Sequence, residues 1–294
     1  MPETMAVIGA LAGQRTRDGL KEPARAPRDA NALLMLHRSA VLKVEGDGKV
    51  KLDDGGVRSW ACAARLGQDP PDELPARVAA RRLAALRALS ATGQASVVTV
   101  IARPMGAVVT GTGAAGIRNV GIELHGTYGW PVLPGSTLKG VARSFARDEE
   151  LADDTAAAVF GAPPTEDEPA RAGAVTFLDT LPGPGGVTVA EHVLTPHARG
   201  YLLSADDGDE DPGNGDAARK PPAEYINPVP IPFLVLTDGV FHVHLIGPHP
   251  EVGQAAELLA AALNDIGLGA KTTRGYGYFD IEKIVPGLPA EGER

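Results

Sequence analysis

The sequence predicts an α+β protein, because strand-like and helix-like segments both occur and follow one another along the chain. The first convincing strand is S-V-V-T-V-I-A-R-P at residues 96–104, where β-branched residues dominate. Residues 136–147 and 251–266 carry apolar side chains at the spacing of an amphipathic helix. Two apolar runs flank an Asp-Gly pair over residues 231–246 and predict a β-hairpin with a tight turn.

Composition and charge limit the possible classes of protein. The chain has 294 residues, enough for one large domain or two small ones, and hydrophobic residues make up 44% of it. Its 36 glycines and 25 prolines predict long irregular connections. The net charge of -9 argues against a free-standing nucleic-acid-binding protein, so any surface for nucleic acid must be local.

Cysteine usage and hydropathy indicate a cytoplasmic protein with no membrane partner. Cys62 is the only cysteine, which excludes an intrachain disulfide and a zinc site built on cysteines. No apolar run approaches the length of a membrane span. Proline and arginine interrupt the first residues, where a signal peptide would be apolar.

We expect one main domain with irregular flanks. Residues 1–30 are rich in arginine and predict a flexible basic arm, although a disordered tail without a role has the same composition. Residues 31–95 predict a helical and irregular extension, including a basic amphipathic helix over 75–90 that is more typical of a solvated face than of a binding face. The remaining divisions are a main domain at 96–285, an acidic mobile insertion within it at 203–220, and a tail at 286–294.

Residues 136–147 predict a helix with one cationic side. Ser136 follows a Pro-Gly turn and is a suitable N-cap. Lys139, Arg143 and Arg147 recur every four residues and form a stripe away from the apolar face. Free N–H groups at the start of the helix and the positive end of its dipole suit a phosphate. An ordinary capped helix with a solvated basic face has the same pattern.

Residues 265–280, D-I-G-L-G-A-K-T-T-R-G-Y-G-Y-F-D, predict a glycine-rich loop between a helix and a strand. The glycines predict a flexible backbone that approaches a ligand closely. Such a loop suits a phosphodiester, and a glycine-rich surface turn is the alternative. Its binding side chains are two cations and two hydroxyls, Lys271, Thr272, Thr273 and Arg274.

Isolated acids and histidines do not make a complete catalytic site. Asp179 stands at a strand end, where turn and cap residues are common. His125 and His197 are possible general bases, but a lone histidine is more often a structural hydrogen-bonding group. His242 and His244 share one strand face, and without a third ligand they predict a half-exposed strand and no metal site.

Two glycine motifs fail as nucleotide sites, which disfavours a nucleotide-binding enzyme. Gly111–Gly116 fits G-x-G-x-x-G, but Leu138 and Lys139 occupy the positions where a dinucleotide site needs an acid. Ala270 precedes Lys271 where a phosphate-binding loop needs glycine. The order of elements there is helix, loop, strand, which is the reverse of the order that such a loop requires.

Several segments of the chain match one known pattern. The most specific are P-G-S-T-L-K-G within residues 121–147, Y-I-N-P-V-P within 221–232, and I-G-L-G-A-K-T-T-R-G-Y-G-Y-F at 266–279. V-F-G at 159–161 and G-A-V-T-F-L-D-T-L-P at 173–182 accompany them. Together these segments resemble the RAMP superfamily of CRISPR effector subunits, and within it the sixth-subunit family of the type III-B (Cmr) complex.

The resemblance implies a ferredoxin-like, RRM-like β-α-β-β-α-β core with long insertions. The segments would take these places in order: strand 96–104, helix 136–147, strands from 174–194 and 231–246, helix 251–266, and a closing strand at 274–284.

The resemblance also implies a function. Members of this family are non-catalytic backbone subunits that bind guide RNA (crRNA) near its 3′ end, with target RNA and other RAMP subunits as partners and no cofactor. The alternative within the superfamily is a metal-independent endoribonuclease that processes CRISPR RNA, with His125 or His197 as general base.

The RNA contacts that the resemblance implies come from the helix and the glycine-rich loop. Lys139 and Arg143 are expected to face the loop across a groove, with Lys271 and Arg274 on its other side. The full set of expected contacts is Ser136, Thr137, Lys139, Arg143, Gly269, Lys271, Thr272, Thr273 and Arg274, and Arg118, His125, Tyr128, Asp179 and His197 are either further contacts or structural residues.

Overall fold

The computed structural model describes nine stretches of the chain, namely residues 4–8, 30–37, 39–44, 50–52, 55–67, 74–112, 121–165, 169–195 and 230–289. The chain divides into two units, residues 1–190 with 234–294, and residues 191–233. Of the second unit, the described residues are the ends of two strands that enter and leave it.

The described residues form both helices and strands, in runs of one to six elements of the same kind along the chain. The strands are β1 (Thr4–Ile8), β2 (Ser39–Val44), β3 (Val50–Leu52), β4 (Ser96–Pro104), β5 (Gly161–Ala162), β6 (Arg171–Ala172), β7 (Thr176–Phe177), β8 (Thr188–Leu194), β9 (Ile231–Asp238), β10 (Phe241–Gly247) and β11 (Phe279–Pro286). The helices are α1 (Ala32–His37), α2 (Gly55–Ala63), α3 (Leu74–Ala91), α4 (Gly135–Asp148), α5 (Asp153–Phe160) and α6 (Glu251–Asp265), and a 3₁₀ turn spans Thr272–Arg274.

A four-stranded antiparallel sheet forms the centre of the first unit, in the order β11-β4-β10-β7. Numbered along the chain, these four strands lie in the order fourth, first, third, second. This is the strand order of a ferredoxin-like β-α-β-β-α-β unit, and α4 and α6 stand at the two helix positions of that unit. The predicted α+β fold with a ferredoxin-like core is therefore confirmed.

One face of the sheet packs against α4 and α6. The strands present alternate residues to this face, such as Val100 on β4 and Val243 on β10, because successive side chains of a strand point to opposite sides. Helix α6 buries its apolar residues at helical spacing, including Leu259 and Leu263. Burying each such leucine fully stabilises the fold by about 1.5–3 kcal/mol, so this layer dominates the core.

Helix α3 lies against the opposite face of the sheet. Leu86 of α3 is buried, and the guanidinium of Arg82 acts electrostatically on His244 of β10. Thr99 and Ile101 of β4 are buried on this same face. The basic helix predicted over 75–90 is thus present, and its solvated side carries exposed arginines such as Arg81.

The N-terminal region contains a small sheet that the sequence analysis did not anticipate. Strand β2 pairs antiparallel with both β1 and β3. The flexible arm predicted for residues 1–30 is therefore wrong for Thr4–Ile8, whose backbone hydrogen-bonds to another strand. The extension at 31–95 contains strands as well as helices. Most of the predicted arm and the whole acidic insertion at 203–220 lie outside the described residues.

The predicted hairpin over 231–246 is wrong in its pairing, although both strands are present. Strand β9 pairs with β8, whereas β10 pairs with β4 and β7. The Asp-Gly pair makes a corner between two sheets. The Asp238 side chain accepts the N–H of Gly239, and a Cβ on Gly239 would lie 2.5 Å from a methyl group of Val187. The chain therefore turns against Val187 and does not fold back on itself.

Candidate nucleic-acid interface

Asp179 closes the N-terminus of α4. The backbone N–H of Gly135, the first residue of the helix, donates to Oδ1 of Asp179 at 2.7 Å. Pro134 occupies the N-cap position and has no capping side chain. Ser136 lies within the first turn and is exposed, so its predicted role as N-cap is wrong. A carboxylate already neutralises this helix end, which makes it a poor phosphate site.

The segment around Asp179 is held from three sides. Thr180 exchanges backbone hydrogen bonds with Leu133, and the N–H of Leu178 donates to the carbonyl of His244. The guanidinium of Arg82 donates to the carbonyl of Asp179. Burial lowers the pKa of Arg82, and the charge of Asp179 partly offsets that shift. Asp179 therefore has a structural role, as a cap that fixes α4 to the end of β7.

The glycine-rich loop is pinned to the rest of the domain. The N–H of Leu268 donates to the carbonyl of Gly277 at 2.7 Å, which ties the two ends of the loop together. Gly277 donates to Ala107 at 2.8 Å, and Ala270 donates to Val109 at 2.8 Å. These bonds hold the loop on the segment that follows β4, so the predicted flexible loop is wrong.

Two of the loop glycines are required by the fold itself. Gly269 has φ +92°, and a Cβ there would lie 2.2 Å from the carbonyl oxygen of Val109. Gly277 has φ +85°, and its Cβ would lie 2.2 Å from the carbonyl oxygen of Leu268. Both glycines let the loop pack against its own chain. Close approach of a ligand is not needed to explain them.

The cations of the loop lie just before its 3₁₀ turn, at Lys271, and at the end of that turn, at Arg274. Lys271 precedes the turn with φ +65°, a left-handed conformation, and is half-buried. Thr273 and Arg274 are exposed. Strand β11 begins only at Phe279, so Tyr276 lies in the loop rather than in a strand as predicted. The loop thus presents a positive, solvent-accessible surface.

A groove of about 500 Å³ lies between α4 and this loop. Thr137 and Asp148 mark its ends along the helix, about 16 Å apart at 1.5 Å per residue. Its lining residues are Thr137, Gly140, Val141, Ser144 and Asp148 of the helix, and Ile266, Gly267, Gly269 and Thr272 of the loop.

The structure brings together only part of the predicted contact set. Thr137, Gly269 and Thr272 share the groove. Lys139 lies about 160° around the helix from Thr137, since successive residues are about 100° apart. The helix therefore turns towards the loop a face without lysine or arginine, and the expectation that Lys139 and Arg143 face the loop across this groove is wrong.

Arg143 borders a neighbouring hollow of about 800 Å³ between α4 and α5. Arg147 lines the same hollow, together with Glu150 and Asp153. Gly140 and Ser144 line both spaces, so Arg143 lies beside the groove and not across it.

His125 and Tyr128 belong to an aromatic stack elsewhere in the unit. Nδ1 of His125 accepts the backbone N–H of Thr127 at 3.2 Å, which holds a turn. The His125 and Tyr128 rings stack with centroids 4.9 Å apart, and the Tyr128 and Trp130 rings stack at 4.6 Å. Trp130 was not among the predicted site residues, because its contact with Tyr128 depends on the turn at 126–128 and on the positive φ of Gly129, +68°, which the sequence pattern does not reveal.

The sheet face beneath α3 carries a buried histidine. Oγ1 of Thr99 donates to the carbonyl of Gly287 at 2.9 Å and contacts Nδ1 of His244 at 3.1 Å. The hydroxyl has one proton, so Nδ1 of His244 must donate to it, which fixes the neutral tautomer. Burial, with the charges of Arg82 and His242, lowers the pKa of His244 to about 3.

Within the described residues, no three side chains of His, Cys, Asp or Glu come together as metal ligands. The prediction of a half-exposed face fits His242, which is half-buried, but not His244, which is 4% exposed. Arg118 and His197 lie outside the described residues. Among the described helices, none is both long and apolar enough to cross a membrane.

Comparison with known proteins places the chain in a family. The sequence pattern of the RAMP superfamily matches residues 104–280. The subunit Cmr6 of the CRISPR system Cmr from Pyrococcus furiosus is 26% identical over 232 residues, covering 58% of this chain. The chain thus spans 64% of the length of that relative.

Solved structures resemble the chain as well. A chain in the cryo-EM structure of the type III-B Cmr-beta bound to cognate target RNA has a TM-score of 0.52 and 21% identity, covering 70% of this chain and 66% of that one. The crystal structure of Cmr6 from Pyrococcus furiosus has a TM-score of 0.36 and 22% identity, covering 64% of this chain and 98% of that one. The match of the superfamily pattern, which covers more than half of the sequence, shows that the chain belongs to the RAMP superfamily.

Proposed function

We propose that this chain is a non-catalytic, guide-RNA-binding backbone subunit of a type III-B CRISPR effector complex. It would position guide and target RNA near the 3′ end of the guide in antiviral defence, with other RAMP subunits as neighbours. The observation that supports this most is the groove between α4 and the glycine-rich loop, because Arg143 and Arg147 line the neighbouring hollow on the helix side and the loop carries Lys271 and Arg274. The similarity to Cmr6 of Pyrococcus furiosus, a subunit of a CRISPR Cmr system, supports the part of the proposal that places the chain in such a complex.

The distribution of charge around the groove suits a phosphodiester strand. Lys271 and Arg274 stand on the loop side, and Arg143 and Arg147 stand beside the groove on the helix side. The groove itself is neutral apart from Asp148. Phosphates would therefore bind at the rims, where arginine is the better partner because it forms paired hydrogen bonds with phosphate oxygens. A local basic surface of this kind is compatible with a net charge of -9.

The opposite side of the sheet is a poor surface for RNA. RRM domains bind single-stranded RNA on an open sheet, where aromatic side chains stack on the bases. Here α3 lies against that face, and its described β4 and β10 side chains are aliphatic residues, Thr99, the two histidines and Arg103, which pairs with Glu282, so these two strands offer no phenyl, phenol or indole ring for stacking. This favours the other face of the sheet, where α4 and the glycine-rich loop lie, as the surface that binds RNA.

The described candidates for catalysis are occupied in structural contacts. Asp179 caps a helix, Nδ1 of His125 accepts two backbone N–H groups in its turn, and His244 is buried and neutral. A general base needs an accessible group within hydrogen-bond reach of the attacking hydroxyl. We infer that the chain holds RNA and that cleavage of target belongs to another subunit.

The test is RNA binding by the full chain across a series of salt concentrations. We expect weak binding of single-stranded RNA without sequence preference, with an affinity that falls steeply as salt rises. Arg274→Ala should weaken binding by about tenfold and reduce the salt slope by about 0.7, the value for one phosphate contact on a single strand. Arg77→Ala is the matched control, because Arg77 is an exposed arginine on α3.

Two results would contradict the proposal. One is binding that does not depend on salt, or that Arg77→Ala weakens as much as Arg274→Ala does. The other is cleavage of a CRISPR repeat RNA by the purified chain in a metal-free buffer. That result would instead support the metal-independent endoribonuclease of the superfamily.

A further inference from the structure

We propose that the groove between α4 and the glycine-rich loop seats riboses of the bound strand and recognises their 2′-hydroxyl groups. This rests on the proposed function, and it adds that the site distinguishes RNA from DNA. The 2′-hydroxyl both donates and accepts hydrogen bonds, and it is the group by which a protein tells the two nucleic acids apart.

Gly140 is the first observation that points to a ligand in this groove. It lies in the middle of α4, where glycine costs about 0.5–1 kcal/mol relative to alanine. A Cβ at Gly140 would meet no atom within 4 Å. The fold therefore does not require glycine here, unlike Gly269, whose Cβ would clash with Val109. The absence of a side chain at Gly140, an exposed position that lines the groove, leaves space there for a group from outside the chain.

The lining residues select the kind of group that fits. No lysine or arginine lines the groove, and Asp148 would repel a phosphate. No aromatic side chain lines it either, so a base has no ring to stack on. A sugar is neutral, has apolar and polar edges, and matches the remaining side chains. Those side chains are apolar at Val141 and Ile266, and they carry hydroxyls at Thr137, Ser144 and Thr272.

Asp148 is the strongest acceptor available to a 2′-hydroxyl. Its carboxylate lies 3.7 Å from Nε of Arg147, and both side chains are more than half exposed. An exposed ion pair at that distance is weak, so the carboxylate keeps most of its capacity to accept hydrogen bonds. A hydroxyl that donates to a carboxylate forms a stronger bond than it forms with a neutral acceptor. DNA has no 2′-hydroxyl to donate this hydrogen bond, so water would bind the Asp148 carboxylate instead.

The experiment compares RNA, DNA and 2′-O-methyl RNA of one sequence as ligands of the full chain. We expect the unmodified RNA to bind about tenfold more tightly than the other two. This is the change in affinity expected when one hydrogen bond to a charged group is lost. Thr137→Val with Asp148→Asn should reduce that ratio to about two or less. The salt slope for Thr137→Val alone should stay unchanged, because no phosphate contact is removed.

A second variant fills the groove directly. Gly140→Leu should weaken RNA binding by more than tenfold. Gly253→Leu is the matched control, because Gly253 also lies in a helix, α6, with no atom within 4 Å of its Cβ position. Gly140→Ala should raise the melting temperature, as expected for a helix glycine that the fold does not need.

The possible outcomes separate this inference from the proposed function. Equal, salt-dependent binding of RNA and DNA by the unaltered chain would overturn the ribose assignment and leave RNA binding in place. Binding of neither nucleic acid would overturn both. If Gly140→Leu leaves RNA affinity unchanged but prevents incorporation into the effector complex, the groove is a contact surface for a neighbouring subunit and the inference is wrong.

Discussion

The carboxylate of Asp179 accepts the backbone N–H of Gly135 at 2.7 Å, across 44 residues of sequence. The contact joins the end of β7 to the start of α4 and so fixes the helix that forms one wall of the groove. Gly135 permits this approach, because a Cβ there would lie 2.0 Å from the carbonyl oxygen of Phe177. The position of the groove thus depends on a contact between elements that are distant in sequence.

Asp179→Ala should destabilise the fold and leave target cleavage by the assembled complex intact. Loss of a helix cap typically costs about 1 kcal/mol, whereas Asp179→Asn keeps an acceptor and should cost less. Thermal denaturation measures the first effect, and target cleavage by the reconstituted complex measures the second. Loss of cleavage with normal assembly would mean that Asp179 takes part in the reaction.

Stability should fall as the pH is lowered from about 6.5 towards 3, partly because of His244. Its pKa is about 3 in the folded chain and near 6.5 when unfolded, so the unfolded state binds the extra proton in this window. His244 alone is expected to lower the free energy of unfolding by about 2 kcal/mol between pH 7 and pH 5.

His244→Asn supplies the comparison for that prediction, since asparagine keeps polar atoms but does not titrate. The variant should be less stable at pH 7 and should show a flatter dependence of unfolding free energy on pH. Denaturant unfolding at pH 5, 6 and 7 gives the slopes. Identical slopes for the variant and the unaltered chain would show that His244 is protonated as readily when folded as when unfolded.

The glycines of the loop should differ in their tolerance of alanine. Gly269→Ala should lower the free energy of unfolding by more than about 2 kcal/mol, because Gly269 has a positive φ and the added Cβ would also clash with the backbone of Val109. Gly275 also has a positive φ, +85°, but its Cβ would meet nothing within 4 Å. Gly275→Ala should therefore cost only about 1 kcal/mol. Equal losses of melting temperature would contradict the packing of Gly269 on Val109.

The sequence predicts those helices whose apolar residues recur at regular spacing because one side of the helix packs on the core. Helices α4 and α6 were expected at 136–147 and 251–266 and are found within one residue of those limits. Their apolar residues recur at helical spacing because one side of each packs on the sheet. The superfamily motifs then supplied the strand order, which local patterns do not contain.

Long-range contacts account for most of what the sequence analysis missed. An Asp-Gly pair gives the same local sequence signal whether it forms a hairpin turn or a corner between two sheets. Before β10 the corner is formed, because Gly239 packs against Val187. The role of Asp179 depends on Gly135, far away in sequence. Gly140 was detectable, because a glycine inside a predicted helix lowers stability and therefore needs a reason.

Photo-crosslinking of RNA to the full chain tests the central claim most directly. Single-stranded RNA carrying 4-thiouridine would be irradiated with the chain, alone and in the assembled effector complex, and the crosslinked peptides identified by mass spectrometry. We predict crosslinks to peptides from residues 135–148 and 266–276, on the two sides of the groove. Crosslinks confined to α3, over the opposite face of the sheet, would contradict RNA binding at this groove.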